Sequence, residues 1–529
     1  MKPFFFLFFL FPLFAGVAQS PSYDKSGFFE IELQSLQAYF HIPGLAVLVQ
    51  KDDKIIYENY MGFADLETNR PVDAQTVFPI MSLSKTFAST LCLQMADEGI
   101  LDLGTSIQTW LPESKLPSSV TLQHLLSHTS EGVPGTTFNY SSRYSLISSV
   151  LEKVSGKPYE EILQERIITP LGLSHTLPLV NQQIIDSLGS SLASPYYFYG
   201  KTEKGHFDTG LSAASGLSST PRDLATFLQG LDEGKLLAAT SRQRQMTAYQ
   251  NPDGDPLPYG LGIFSQNWEG KKLVWGYGQE DCFSSLLLSI PEDGTSLILL
   301  ANNNLMSDPA RLINGDIRYS LFALAFLKHF VYSQDDWSLP TLITSDYLEE
   351  SPPSASDKPF DRQILLANAL AASFLGQGFP EEGEKSKALT LALLKHFQDI
   401  KKYGTISTLH LLSVLCEQED DPQLVSYFLA LGKYLIDKQA DNPYSNIYMA
   451  FFYKGQNNPE KALPYFQAIV DAENYRPFWY TIEAWYELGM YYRVSQPGKA
   501  RTYMQNIIDL GWNIGSKLVL AKQALKDWE

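Results

Sequence analysis

Strand-length and helix-length apolar patterns alternate from Gly44 to about Leu321, whereas beyond residue 360 only the helical period remains. This change of period constrains the fold more than any motif does. The first part needs a sheet covered by helices, and the second must bury helix against helix. Residues 44–50 (GLAVLVQ) and 55–60 (IIYENY) flank Asp52-Asp53, a hairpin signal at the start of the mixed part. Residues 286–290 (LLLSI) and 296–301 (SLILLA) flank Pro291-Glu292-Asp293-Gly294, a second hairpin near its end. Helical patterns over 84–98 and 143–154, closed by Gly99 and Gly156, lie between them. The expectation is an α/β (α+β) unit over 26–330: an antiparallel sheet built from sequence-distant hairpins and flanked by helices.

The polar stretch 331–359, with Pro340, Pro352, Pro353 and Pro359, predicts a linker across which two units fold separately. In the helical part, Pro459-Glu460-Lys461-Ala462 with Tyr465 and Ile469 recurs 38 residues on as Pro497-Gly498-Lys499-Ala500 with Tyr503 and Ile507. Before the second copy stands Trp485-x-x-Leu488-Gly489-x-x-Tyr492, which resembles the first helix of a tetratricopeptide repeat. The period exceeds that family's usual value of about 34, and the first copy has Ile447 and Ala450 at the Trp and Leu positions. Residues 360–529 therefore read as an all-α helical-repeat domain, tetratricopeptide-like, with a plain helical bundle as the alternative.

The chain's 529 residues carry a net charge of −18, which excludes nucleic acid as a partner because phosphate binding needs clustered Lys and Arg. Residues 1–20 read as a signal peptide, with Lys2 in the positive region, Phe4 to Phe14 apolar and Gly16-Val17-Ala18 at the cleavage site. The expected location is secreted or periplasmic, with no transmembrane segment in the mature chain. Three cysteines, Cys92, Cys282 and Cys416, all in apolar surroundings, read as core. No Cys/His cluster has metal-ligand spacing, and HExxH and GxSxG are absent, so neither a metal site nor an α/β-hydrolase triad is expected. Gly378 to Ser386 imitates a phosphate loop, but Glu384 separates Gly383 from Lys385 and no strand precedes it.

Chemistry concentrates at Phe78-Pro79-Ile80-Met81-Ser82-Leu83-Ser84-Lys85, followed by a helix with Phe87, Leu91 and Met95 on one face. Residues three apart share a helix face, so the Lys85 amine can reach the Ser82 hydroxyl. Burial would lower the amine's pKa enough for it to take the serine proton. Free N–H groups at the helix start would face a developing oxyanion. A second Ser-x-x-Lys, Ser22 to Lys25, lacks this strand-then-helix context.

The order of further segments resembles the serine beta-lactamase and D,D-peptidase (penicillin-recognising) family over roughly residues 26–325. Gly62-Phe63-Ala64-Asp65, Pro71-Val72 and Thr76-Val77-Phe78 lead into Ser82. Leu125-Leu126-Ser127-His128-Thr129-Ser130 follows, with Glu131 intervening before Gly132, and then Phe138-Asn139-Tyr140-Ser141-Ser142. Gly210 to Leu224 and Tyr259-Gly260-Leu261-Gly262 complete the series. The resemblance implies an acyl-enzyme on Ser82 with Lys85 as base, and needs no cofactor. Tyr140 would shuttle a proton, its phenol pKa lowered by nearby lysines. Ser142 replaces the family's Asn beside the substrate, and His128 reads as structural.

The third family motif departs most. In Val274-Trp275-Gly276-Tyr277-Gly278-Gln279, Gly276 falls at the position of the family's Lys or His, and a one-residue slip puts Tyr277 there. Either way the basic group is missing, which favours a small ester or amide over a carboxylate-bearing substrate, unless Arg143 or another residue replaces the cation. The backbone N–H of Gln279 would join that of Ser82 as oxyanion donor. The substrate would be a small molecule or peptide-like. Alternatives are D,D-peptidase or beta-lactamase activity, a feeble hydrolase kept as a binding module, and a working repeat domain that docks a protein partner.

Overall fold

A computed structural model describes residues 24–350, 358–393, 404–418 and 421–528. The signal-peptide expectation for residues 1–20 lies outside the described residues. Among the described residues, no helix is long and apolar enough to cross a membrane.

Seven antiparallel strands form the main sheet: β1 (Gly44–Lys51), β2 (Lys54–Asp65), β3 (Arg70–Pro71), β4 (Phe264–Trp268), β5 (Lys271–Glu280), β6 (Phe283–Ile290) and β7 (Thr295–Ala301), in the order β3-β2-β1-β7-β6-β5-β4. The two hairpins read from the sequence meet where β1 pairs with β7, Leu45 opposite Ala301. Strands β6 and β7 are buried at every position, as their unbroken apolar runs require when both faces are covered. One face packs on α1 (Lys25–Tyr39) and α5 (Leu321–Phe326). The other packs on α2 (Ser84–Asp97), α3 (Leu146–Ser155) and α4 (Pro221–Asp232).

The second part is an array of helical hairpins: α6 (Pro359–Leu375) with α7 (Pro380–Leu393), α8 (Ile406–Gln418) with α9 (Pro422–Lys438), α10 (Pro443–Gly455) with α11 (Pro459–Asp471), α12 (Trp479–Tyr492) with α13 (Pro497–Leu510), and a closing α14 (Lys517–Asp527). Six of these nine helices start on a proline, which fits the first turn because its missing N–H has no partner there in any case.

The array does not hang from a free tether. One apolar cluster runs from Trp275 and Leu299 of the sheet through Phe322 of α5 to Phe360, Leu412, Phe452 and Leu488 of the array. Residues 331–350, expected as linker, are bonded to both sides. Ser338 and Leu339 donate backbone N–H groups to Asp361 (2.8 and 3.1 Å), Ile343 donates to Asn368 (2.9 Å), and the Thr341 hydroxyl donates to Glu32 (2.6 Å). Leu339 and Ile343 are buried beneath it. The expectation of separately folding units gives way to a shared core, because the outward apolar face of α5 and the sheet is covered by α6.

Candidate active site

Ser82 follows a tightly held turn. The Ile80 N–H donates to Leu217 O (2.9 Å), and the Ser285 hydroxyl donates to Ile80 O (2.7 Å). Met81 takes φ = +49°, a left-handed conformation costly for a side chain of its size. A 3₁₀ turn over Met81–Leu83 then feeds α2. Behind the turn runs β5. A Cβ on Gly278 would lie 2.1 Å from Ile80 O, so only glycine lets the strand approach the Ser82 turn this closely.

Lys85 is 4% exposed, and its Nζ lies 2.8 Å from Ser82 Oγ and 3.1 Å from Ala214 O. Burial lowers its pKa to about 7, against the opposing pull of the Glu280 carboxylate. The amine is therefore partly neutral near pH 7. Tyr140 lines the same cleft as Ser82. Its ring centroid is 4.8 Å from Lys85 Nζ and 4.2 Å from the stacked His128 ring. Burial pushes the Tyr140 phenol upward, and the nearby Ser82 hydroxyl only partly offsets this. The expected lowering by lysine fails because burial outweighs any charge beside the phenol.

His128 is buried and also adopts a positive φ, +54°. Its Nδ1 accepts the Ser141 N–H at 3.0 Å, so the ring braces the Tyr140 loop. Burial holds its pKa well below the ordinary imidazole value, consistent with the structural role read from the sequence.

Strand alternation gives the third motif two faces. Gly276 does not line the cleft, and a Cβ there would meet Leu83 at 3.0 Å, while Tyr277 does line it. Beyond Trp275, β5 has no partner in β4, and this open edge runs past Ser82 with Gln279 lining the cleft. Ser142 is not brought to the cleft. It is exposed and accepts a bond from Arg476 Nη1 (2.9 Å), because the 3₁₀ turn Ser142–Ser145 carries it outward. Arg143 is no substitute cation either: its guanidinium donates to Ser130 O (2.7 Å) and Asn474 O (2.8 Å).

The cleft is a cavity of about 310 Å³ lined by Ser82, Tyr140, Tyr277 and Gln279, by Asp308, Arg311, Ile313 and Asn314 after β7, and by Tyr444, Tyr448, Phe478 and Trp479 of the array. A larger cavity of about 640 Å³, between residues 247–258 and 405–407, holds neither Ser82 nor Lys85. Three contributions escaped the sequence reading. The Ala214 carbonyl lies in the Gly210–Leu224 segment already noted. Arg311, whose guanidinium has no carboxylate within 4.0 Å among the described residues, sits in an unmarked loop. The array's aromatic groups carry no local signal, since only tertiary packing brings them there.

Residues 33–318 match the Beta-lactamase family. Penicillin-binding protein 4* of Bacillus subtilis is 23% identical over 342 residues, 54% of this chain and 72% of that protein. Protein flp of Staphylococcus aureus is 26% identical over 308 residues, 50% of this chain and 60% of flp, so the chain spans less than two thirds of that relative. An octameric penicillin-binding protein homologue from Pyrococcus abyssi shares the fold, with a TM-score of 0.51 and 23% identity over 57% of this chain and 77% of its own.

Proposed function

Because the chain belongs to the Beta-lactamase family, matching it over residues 33–318, we propose that it is an exported serine hydrolase that works through an acyl-enzyme on Ser82 and acts on small esters or amides. The single observation that carries this is the 2.8 Å approach of a buried amine with a pKa of about 7 to the Ser82 hydroxyl.

In this reading, neutral Lys85 takes the hydroxyl proton as Ser82 Oγ attacks the substrate carbonyl. The oxyanion is held by the backbone N–H groups of Ser82 and Gln279. Tyr140 passes the proton on to the leaving group, whose bond to the carbonyl carbon then breaks. Water, deprotonated by the same pair, releases the acid and restores Ser82. Residues 1–20 act as the signal peptide, residues 26–330 as the hydrolase unit, 331–359 as the connection and 360–529 as a tetratricopeptide-like array.

A neutral substrate is favoured because the third motif offers Gly276 or Tyr277 and no cation, and because Asp308 lines the same cleft as Arg311. Arg311 supports a second reading, a carboxylate-bearing D,D-peptide or beta-lactam substrate. A charge-assisted contact is worth about 1.5–3 kcal/mol, or roughly 10- to 150-fold in affinity. The test is fluorophosphonate labelling of wild type and Ser82→Ala, with kcat/KM for a short neutral ester, a chromogenic cephalosporin and a D-Ala-D-Ala peptide. Labelling lost in Ser82→Ala and a preferred ester are expected. A Ser82→Ala protein that still turns over would overturn the nucleophile, and equal or better cleavage of a carboxylate substrate would favour the second reading.

A further inference from the structure

The helical array reaches the Ser82 cleft at two points, the first two turns of α10 and the 472–479 turn leading into α12. That second turn is bonded firmly to the hydrolase unit. Asn474 Nδ2 donates to Ser130 O (3.1 Å) and Gly132 O (2.7 Å), and Arg143 returns a bond to Asn474 O (2.8 Å). The Arg476 N–H donates to Glu131 (3.2 Å), a carboxylate only 3% exposed that also accepts from Asn139 (2.8 Å) and the Ser141 hydroxyl. Glu131, the residue that interrupts the family segment, thus ties the array to the loop that carries Tyr140.

Beyond this clamp the array offers the cleft mainly rings. Tyr444 and Trp479 are neighbours at 6.5 Å between centroids, and Tyr448 lies beside them in the cavity wall. Phe478 lines the cleft and is 40% exposed, so its ring is open to a ligand there. On the hydrolase side, Tyr140 and Tyr277 are 5.8 Å apart. The cavity of about 310 Å³ is small for a ligand site. An apolar cavity of about 150 Å³ takes one benzene ring, so the cleft has room for a ring together with a scissile carbonyl.

We propose that the array is a fixed wall of the active site, selecting substrates that place an aromatic or similarly flat apolar group between Tyr140 and Tyr277 on one side and Tyr444, Phe478 and Trp479 on the other. The inference rests on the Ser82 hydrolase reading and adds the substrate class to it. Rings held edge-on or offset against rings gain beyond the area they bury, and the wall is rigid because the Asn474–Arg476 clamp fixes it. An apolar pocket discriminates by about 10- to 200-fold for a well-fitting apolar group.

The experiment uses the full chain and three thioesters of similar intrinsic reactivity: S-ethyl thioacetate, S-(2-phenylethyl) thioacetate and S-ethyl 3-phenylthiopropionate. Expected is kcat/KM at least about 10-fold higher for one phenyl-bearing ester than for S-ethyl thioacetate. That ratio should fall to within about 2-fold in Trp479→Ala and Phe478→Ala, and recover largely in Trp479→Phe. A ratio is independent of the fraction of variant that folds. Turnover of all three esters at equal kcat/KM by the wild type overturns the wall and leaves the hydrolase intact, as does a ratio that both variants preserve. A chain that hydrolyses none of them and is not labelled by a fluorophosphonate overturns the hydrolase reading, and the wall with it.

Discussion

Lys85→Met removes the Lys85 charge while keeping an unbranched side chain in the same space. In the unfolded chain a lysine holds its proton up to about pH 10.5, whereas folded Lys85 releases it near 7. Its folded pKa is depressed, so between these two values the unfolded state binds one proton more, and stability rises with pH across that window. Below pH 7 both states are protonated and the full cost of burying the ammonium is felt. At about 1.4 kcal/mol per pH unit, this amounts to about 5 kcal/mol. Methionine escapes it but forfeits the contacts to Ser82 Oγ and Ala214 O, worth about 1 kcal/mol each. The variant should therefore be about 2 kcal/mol more stable than wild type at pH 7, and about equal to it near pH 9.5. Urea unfolding of both proteins at pH 7, 8 and 9.5 measures the difference, with other titrating groups cancelling between them. A variant less stable at pH 7, or a difference that does not change with pH, would refute the claim that Lys85 is held near neutrality.

Tyr140→Phe should separate proton delivery from proton removal. Hydrolysis of an amide, which needs a protonated leaving group, should fall by about 10²–10⁴-fold, while that of an activated thioester falls by about 10-fold or less; equal losses would make Tyr140 the base. A chain ending at residue 350 should be insoluble or lose its cooperative unfolding, since it uncovers the face of α5 and the sheet that α6 protects. A soluble, cooperatively folding fragment, seen by calorimetry, would show that the shared core is dispensable.

The sheet was legible because its hairpins announce themselves: alternation or unbroken apolar runs around Asp52-Asp53 and around Pro291–Gly294 leave few other arrangements. Ser82 and Lys85 were legible because their contact is local, one helical turn apart. What sequence could not supply was long-range. Arg143 looks like a free cation until Asn474 arrives from the array, and Ser142 looks like a substrate ligand until its 3₁₀ turn rotates it outward. The third motif was ambiguous by one residue because both registers place a small residue near the turn. Which of its residues lines the cleft depends on the close approach of Gly278 to Ile80 O, a contact that spans 198 positions of chain. The linker expectation misled for a related reason: prolines and polar residues describe a segment that cannot be a helix or strand, but they do not say whether it is bonded at both ends.

The roles proposed at Ser82 rest on two shifts of opposite sign produced by one cause. Burial disfavours charge, so it makes an amine release its proton more easily and a phenol hold its proton more tightly. Lys85 and Tyr140 share the same enclosed space, and burial drives their affinities for protons in opposite directions from values that in water nearly coincide. Near neutral pH the amine is then the group that can accept a proton from Ser82, and the phenol the one that can donate to whatever leaves. His128, stacked on Tyr140, reinforces this by excluding water without bringing a charge, because it too is held neutral. The clamp on Glu131 and the aromatic groups of the array close the remaining side. In the proposed reading the helical part bears on the chemistry as well as on the fold: removing it should hydrate the cleft, let Lys85 regain its proton at neutral pH, and narrow the separation on which the assignment depends.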